Sequence, residues 1–347
     1  MRAMILAAGL GTRLRPLTRV MPKPVAPVLN RPIVAWIAEL LASNGFEQVV
    51  TNVSYLPEQI REVLGDGSDF GLEIDYSEEH EPLGTAGGVG RVRDFLSQTD
   101  SFLIISGDAL TTIDLSAMRA AHEANVERGA IATLATKRVA DTTQFGVAIT
   151  DEQGRIQGFQ EKPEPAEALS DLANCGIYMF RREIFDHFPP PDQKSPAGDD
   201  DQPPGFVDWA MDVFPSLLDG DIPFYSHEID AYWNDIGSVS EYVQGNLDAL
   251  AGKVGIDPPA PEVSKGVYVG EGSDIDAAKV KTPVLIGRDC EVGLGSDLHG
   301  PLVVGNNCRL GADVMLRDCV VLPGAEVPAG ALVVGGLYGV APDRPLG

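Results

Sequence analysis

Residues 4–24, MILAAGLGTRLRPLTRVMPKP, set two glycines, an arginine and a proline-flanked lysine directly behind a short apolar run. The run from Met4 to Ala8 predicts a buried strand. Gly9 and Gly11 behind it lack the side chains that would hold a backbone N–H away from an anion. Arg13 brings a planar fork suited to phosphate oxygens, and Lys23, stiffened by Pro22 and Pro24, brings a point charge. The chemistry on offer is phosphate binding. A dinucleotide fingerprint would need a third glycine where Leu14 stands, and the P-loop spacing G-x-x-x-x-G-K-[ST] is missing. An ordinary strand-to-loop turn would not need this concentration of glycine and positive charge.

The elements that must position this loop follow an α/β pattern. Strands are predicted over Gln48–Asn52, Leu72–Tyr76, Phe102–Ser106, Ala130–Thr136 and Phe145–Thr150, with helices over Pro32–Ser43, Pro57–Leu64, Leu115–Arg128 and Val207–Leu218. Such alternation favours a Rossmann-like, doubly wound and mostly parallel sheet, whose ligands lie beyond the carboxyl ends of the strands. The glycine loop and Asp108 each follow a strand, so both fall at that edge. Residues 189–205 are acidic and rich in proline, which predicts a surface loop.

Beyond the break at residues 257–261 the pattern changes. Aliphatic residues recur every six positions at Ile286, Val292, Leu298, Val304, Leu310 and Leu316, slip by one, and resume at Val321, Val327 and Val333. Three hexads make one coil of about 18 residues, and such coils bury their faces only by stacking. The expected division is therefore a first domain over 1–252, a linker over 253–266, a left-handed parallel β-helix over 267–334 and a tail over 335–347. Exposed ends and edges of such a stack suit self-association, so a homo-oligomer is expected.

Composition narrows the class. The 51 acidic and 26 basic residues of this 347-residue chain argue against nucleic acid or an anionic membrane as partner. Any anionic substrate must be drawn by local cations, the distant acids being screened over about 8 Å at physiological salt. No run of 18 apolar residues and no leader pattern occur, so a cytoplasmic protein is expected. The four cysteines, Cys175, Cys290, Cys308 and Cys319, lack metal-ligand spacing and are expected to be buried thiols. Cys290 and Cys308 fall one coil apart, where stacked free thiols are expected rather than a disulfide.

Several spaced motifs, taken in order, resemble those of the sugar-nucleotide pyrophosphorylases. They are GLGTRLRPLT with PKP at 22–24, EPLGTAG at 81–87, SGD at 106–108, EKP at 161–163, NCG at 174–176 and YWNDIG at 232–237, and the likeness covers roughly residues 1–250. Within that family the motifs are most similar to the mannose-1-phosphate guanylyltransferase group. The resemblance implies transfer of a nucleotidyl group from GTP to mannose 1-phosphate, with pyrophosphate released. A thymidylyl- or uridylyltransferase acting on glucose 1-phosphate is the alternative.

The resemblance also implies site residues. Leu6, Ala8, Gly9, Gly11, Thr12, Arg13, Lys23, Glu79, Gly84 and Thr85 would bind the nucleotide, and Gly146, Glu161, Lys162 and Asn174 the sugar phosphate. Arg13, Lys23 and Lys162 would be catalytic, and Asp108 and Asp235 would hold Mg²⁺, which needs few carboxylates because it keeps several waters. Glu79 is expected to face the base, where an acceptor-only carboxylate suits the two donors of guanine; a solvated charge in its acidic run is the plainer reading. Two further classes compete. A silent regulatory paralogue has no need of intact Arg13, Lys23, Asp108 and Asp235, and an acyltransferase site in the repeats would rest on His299, which has no evident partner in the sequence.

Overall fold

The apolar runs of the N-terminal part become one nine-stranded mixed sheet in the computed structural model, which describes residues 1–189, 205–275 and 278–339. Its strands are β1 (Arg2–Leu6), β2 (Gln48–Val53), β3 (Glu73–Glu78), β4 (Ser101–Ser106), β5 (Ala132–Arg138), β6 (Gly146–Thr150), β7 (Ile156–Glu161), β8 (Leu172–Arg181) and β9 (Phe224–Glu228). They line up as β7-β6-β8-β4-β1-β2-β3, with β5 paired to β8 and to β9. Strands β1 to β4 are parallel, as the helical crossovers α1 (Ile33–Ser43), α2 (Pro57–Leu64) and α3 (Gly84–Arg91) require. Strand β8 runs antiparallel to β4, β5 and β6. The β6–β7 link is a short turn at 151–155 closed by Asp151 Oδ1, which accepts from the Gln153 and Arg155 N–H groups, and so short a link joins only antiparallel neighbours. Helix α4 (Leu115–Glu127) starts where the Asp114 side chain accepts from Ser116 N and Ala117 N.

The helix expected over Val207–Leu218 divides in two. Asp208 caps a π-turn over Trp209–Val213, and α5 (Phe214–Asp219) follows. Pro215 has no N–H to continue the helical ladder, which accounts for the change of pitch. The expected Pro-rich loop over 189–205 falls mostly outside the described residues, as do 340–347 of the expected tail. On the inner face of the sheet an aromatic cluster of Phe102, Tyr178, Phe180, Phe185, Trp209, Phe214 and Phe224 forms the core, with Phe180 and Trp209 stacked at 4.7 Å.

The chain packs as two units, residues 1–9, 37–108 and 113–233 in one, and 10–36, 109–112 and 234–347 in the other. This division does not follow the expected domain boundary at 252. Residues 10–36 join the second unit because helix α6 (Val239–Leu250) and the repeats hold them there. Tyr242 Oη donates to Pro27 O at 2.6 Å, Leu29 N to Asn246 Oδ1 at 3.0 Å, and Asn30 Nδ2 to Val304 O at 2.9 Å.

The repeats of the second unit form the expected β-helix, its strands stacked in parallel on three faces. Ile286, Val304 and Val321 line one face, Val292, Leu310 and Val327 another, and Leu298, Leu316 and Val333 the third. The slip in the sequence is visible as register: Leu298 pairs with Leu316, 18 residues on, whereas Val304 pairs with Val321, 17 on. Glycine follows the aliphatic residue at the corners because the coils touch there. A Cβ on Gly293 would lie 2.4 Å from Ala312 N, and one on Gly311 2.4 Å from Ala329 N. The strand pairing reaches slightly past the expected span, from Glu262 to Tyr338. All four cysteines are free and buried. His299 does have a partner, contrary to expectation: its Nε2 lies 2.7 Å from Asp297 Oδ1, a residue two places back on the same strand and hence on the same side of it. No described helix is long and apolar enough to cross a membrane.

One stability prediction arises from the first unit. His122 on α4 is buried between Thr133 Oγ1 and Ser101 Oγ, each 3.1 Å from a ring nitrogen, and burial, aided by the Arg181 charge, pushes its pKa down to about 4. The folded state therefore favours the neutral ring, while the unfolded chain protonates near pH 6.5. Stability should be unaffected above pH 6.5 and fall as pH drops toward 4, by up to about 3 kcal/mol from this group. Urea melts of wild type and His122→Gln across that range should diverge by that slope, and parallel pH dependences would remove His122 as its source.

Candidate active site

The carboxyl edge of the parallel strands carries the first group of candidate residues. Leu6 ends β1 level with Asn52 and Ser106, and Ala7 N donates to Asn52 Oδ1 at 2.7 Å. Gly107 N donates back to Leu6 O at 2.9 Å. A Cβ on Gly107 would sit 2.7 Å from Ile5 Cγ2, so only glycine lets the 107–108 turn close on β1 and present Asp108 at this edge. Ala8 and Gly9 continue outward, and Gly9 has open space around it.

Four sugar-phosphate candidates meet at the same edge. Gly146 and Glu161 are direct partners across β6 and β7, and a Cβ on Gly146 would come within 3.0 Å of Glu161 Oε2. Ala173 pairs with Val147, which sets Asn174 level with Gly146. Asn174 Nδ2 donates to Tyr178 Oη at 3.0 Å and its Oδ1 accepts from Gly176 N at 3.2 Å, within a register shift of β8. Lys162 lies just past β7 with φ +46°, its N–H donating to Phe145 O and its Nζ 2.7 Å from Glu161 Oε1. That exposed pair is worth at most about 1 kcal/mol, so an incoming phosphate can displace the carboxylate easily. The pattern Gly146, Glu161, Lys162 and Asn174 thus converges from three strands.

Glu79 is neither a solvated charge nor an open acceptor. Only 3% exposed, it accepts from Asn52 Nδ2 at 2.8 Å and from Leu83 N at 3.4 Å, and burial raises its pKa against the opposing pull of those bonds. It ties β2 to the 79–83 turn. The 84–87 glycine motif likewise serves packing: Ala86 N and Gly87 N donate to Val207 O, and Thr85 Oγ1 donates to Asp208 Oδ2 at 2.8 Å while accepting from Trp209 N. Asn52 and Asp208 were missed from the sequence. Asn52 is the penultimate residue of the strand QVVTNV, where an amide among β-branched residues is the available signal; nothing marks Asp208 beyond its place before a helix. Trp233, also missed, donates from Nε1 to Cys175 O at 3.1 Å and packs on Phe145 beside Gly146.

The second unit holds the rest of the candidate phosphate loop. Gly11 has φ +58°, and a Cβ there would meet Lys23 Cβ at 3.0 Å and Thr18 Cγ2 at 3.1 Å. Thr18 Oγ1 donates to Gly11 O, a short 3-10 turn runs over Thr12–Leu14, and Lys23 is packed against it at 8% exposure with Nζ donating to Asp235 O at 2.6 Å. The main chain at Asp235 therefore fixes the lysine. Asp235 Oδ1 accepts from Gly237 N at 3.2 Å, and a Cβ on Gly237 would lie 2.9 Å from Asp235 Oδ2. A side chain at 237 would collide with these oxygens and with Glu241 Oε2, 3.0 Å from the same Cβ position, so only glycine lets the backbone turn past the carboxylate here. Among the described residues no group of three or more His, Cys, Asp or Glu side chains is placed to hold a metal, and a Mg²⁺ ion with several waters asks for only one or two carboxylates. Arg13 is exposed and makes no hydrogen bond or ion pair to a described residue.

Comparison with known proteins agrees with this layout. The chain is 36% identical over 349 residues to a UTP–glucose-1-phosphate uridylyltransferase of Synechocystis sp., covering 96% of this chain and 86% of that protein. It is 33% identical over 332 residues to a mannose-1-phosphate guanylyltransferase of Mycobacterium tuberculosis, covering 95% and 82%. The uridylyltransferase thus matches at higher identity, against the expected leaning toward the guanylyltransferase group. The crystal structure of HddC from Yersinia pseudotuberculosis has the same fold, with TM-score 0.58, 22% identity and coverage of 71% of this chain and 97% of that one. The nucleotidyl transferase family model matches residues 2–252, and with relatives of such identity and coverage the chain belongs to that family.

Proposed function

We propose that this protein joins a nucleoside triphosphate to a sugar 1-phosphate, releasing pyrophosphate, with UTP and glucose 1-phosphate as the leading pair. The observation that carries the reaction class is the convergence of Lys162, Glu161, Gly146 and Asn174 at the strand edge that also carries Asp108. In the reaction a phosphate oxygen of the sugar 1-phosphate attacks the α-phosphorus, and the bond to the β-phosphate breaks as pyrophosphate departs. The work left to the protein is positioning and charge neutralisation. Lys162 binds the attacking phosphate, Glu161 and Asn174 take sugar hydroxyls, and Arg13 and Lys23 bind the triphosphate. Mg²⁺, for which Asp108 and Asp235 are the proposed ligands, supplies charge neutralisation when bound.

The preference for UTP is supported by the 36% identity to the uridylyltransferase. The expected argument for guanine rested on a free acceptor at Glu79, and both oxygens of that carboxylate already take an N–H. The GTP and mannose 1-phosphate pair keeps the support of the 33% relative. Pyrophosphate release measured with Mg²⁺ across a panel of triphosphates and sugar 1-phosphates decides both levels. Highest kcat/KM with UTP and glucose 1-phosphate is expected; a guanine and mannose optimum would replace the pair, and no release with any pair would end the transferase reading.

Lys162→Ala should raise KM for the sugar 1-phosphate by about tenfold or more, the loss expected for a charge-assisted hydrogen bond, and leave KM for the nucleotide nearly unchanged. Arg13→Ala should mainly lower kcat, because charge on the leaving pyrophosphate grows toward the transition state. Interchangeable kinetic defects in the two variants would contradict this division of roles.

A further inference from the structure

The cysteines take no part in the proposed reaction, and two of them share one column of the β-helix. Glu291 pairs with Arg309, so Cys290 and Cys308, one place before each, stack on neighbouring coils, with Glu291 N donating to Cys308 O at 2.9 Å. Both thiols are free and buried, at 3% and 0% exposure, and their sulfurs lie within hydrogen-bonding reach of each other. The other two cysteines stand apart from this column. Cys319 precedes Val320, on the face where Val320 pairs with Val303, and Cys175 lies in the first unit.

The column repeats one bonding pattern that aims each side chain along the stack. Ser273, one coil earlier, donates from Oγ to Gly287 O at 2.8 Å and accepts from Cys290 N at 2.7 Å. Cys290 Sγ likewise donates to Gly305 O at 3.1 Å and accepts from the Cys308 N–H. Cys308 Sγ donates to Leu322 O at 3.2 Å, with the Gly324 and Ala325 N–H groups directed at it. Backbone N–H groups aimed at sulfur favour a thiolate once its proton has gone. Stacking in a parallel ladder holds equivalent atoms of neighbouring coils about 4.8 Å apart. A disulfide needs Cβ atoms about 3.5–4.5 Å apart and would have to draw the coils together. Two metal–thiolate bonds of the length zinc makes, about 2.3 Å, laid end to end span about 4.6 Å and need no such movement.

We infer that Cys290 and Cys308 form a two-coordinate site for a soft monovalent metal ion, copper(I), held between the stacked sulfurs. On binding, two S–H bonds break, two metal–sulfur bonds form, both protons leave to solvent and the metal keeps its oxidation state. Among the described residues no set of three or more His, Cys, Asp or Glu side chains is placed around an ion, so zinc, which takes four ligands, is not served by this pair. A pair of thiolates with no oxygen ligand selects copper(I) over harder ions. The ion reaches the pair at the 287–290 corner, where Arg288 and Asp289 are exposed. The site lies wholly within the second unit and does not depend on the reaction assigned above.

Competition with a chromophoric copper(I) chelator tests it, using the reduced full-length protein under anaerobic conditions. Uptake of one copper(I) per chain is expected, weakened about tenfold or more in Cys290→Ser and in Cys308→Ser and unchanged in Cys175→Ser and Cys319→Ser. Serine at 290 or 308 repeats what Ser273 does in the same column, so both variants should fold, and cooperative melting without copper checks this. X-ray absorption of the wild-type complex should show two sulfur neighbours around the metal and no nitrogen or oxygen. No uptake by the wild type, uptake that survives both column variants, uptake lost in Cys175→Ser or Cys319→Ser, or a metal with three or more neighbours overturns the assignment.

Discussion

Replacing Asp108 by Asn is expected to lower kcat by about a hundredfold or more, the loss typical of removing one group that neutralises charge in a transition state. The substitution keeps the size of the side chain and removes its charge. The turn that carries it is fixed by the backbone: Gly107 N donates to Leu6 O, and Gly107 itself packs on Ile5. Folding should therefore survive, with a melting temperature close to wild type. The loss should persist at saturating Mg²⁺, because an amide oxygen is a much weaker ligand for a hard cation than a carboxylate. Near-normal turnover under those conditions would remove Asp108 from the metal-holding role, whichever sugar the enzyme takes.

The largest loss of stability is expected from Leu298→Ala, by about 2–5 kcal/mol. Leu298 is fully buried in the middle of a face of the β-helix, paired to Val280 on one side and to Leu316 on the other. Each coil touches only its neighbours, so the cavity cannot be closed by rearrangement elsewhere. Met315→Ala, on the next strand of the same face but 39% exposed, should change stability by less than about 0.5 kcal/mol. Calorimetric melts of the two variants should separate clearly, and equal shifts would mean that Leu298 does not hold the stack together.

Periodicity determined much of this protein by itself. Short apolar runs place the strands, and Pro57–Leu64 is a helix at the expected bounds because proline opens it and Gly65 follows it. The six-residue repeat specifies three faces, and even the one-residue slip after Leu316 reappears as a change of register from 18 to 17. These signals are local, since each depends on which side of its own element a residue must bury.

Tertiary structure decided what depends on partners distant in the chain. The antiparallel half of the sheet, with β8 between β4 and β6, is a matter of strand order, which alternation does not encode. Membership of residues 10–36 in the second unit follows from hydrogen bonds to Tyr242, Asn246 and Val304, more than 200 residues away. Glu79 shows the difference most plainly. Its type and its place near the 84–87 motif suggest a carboxylate facing a base, and only the fold reveals Asn52 and Leu83 as its partners. A carboxylate's role is set by which donors surround it once water is excluded, and those donors come together only when the chain folds.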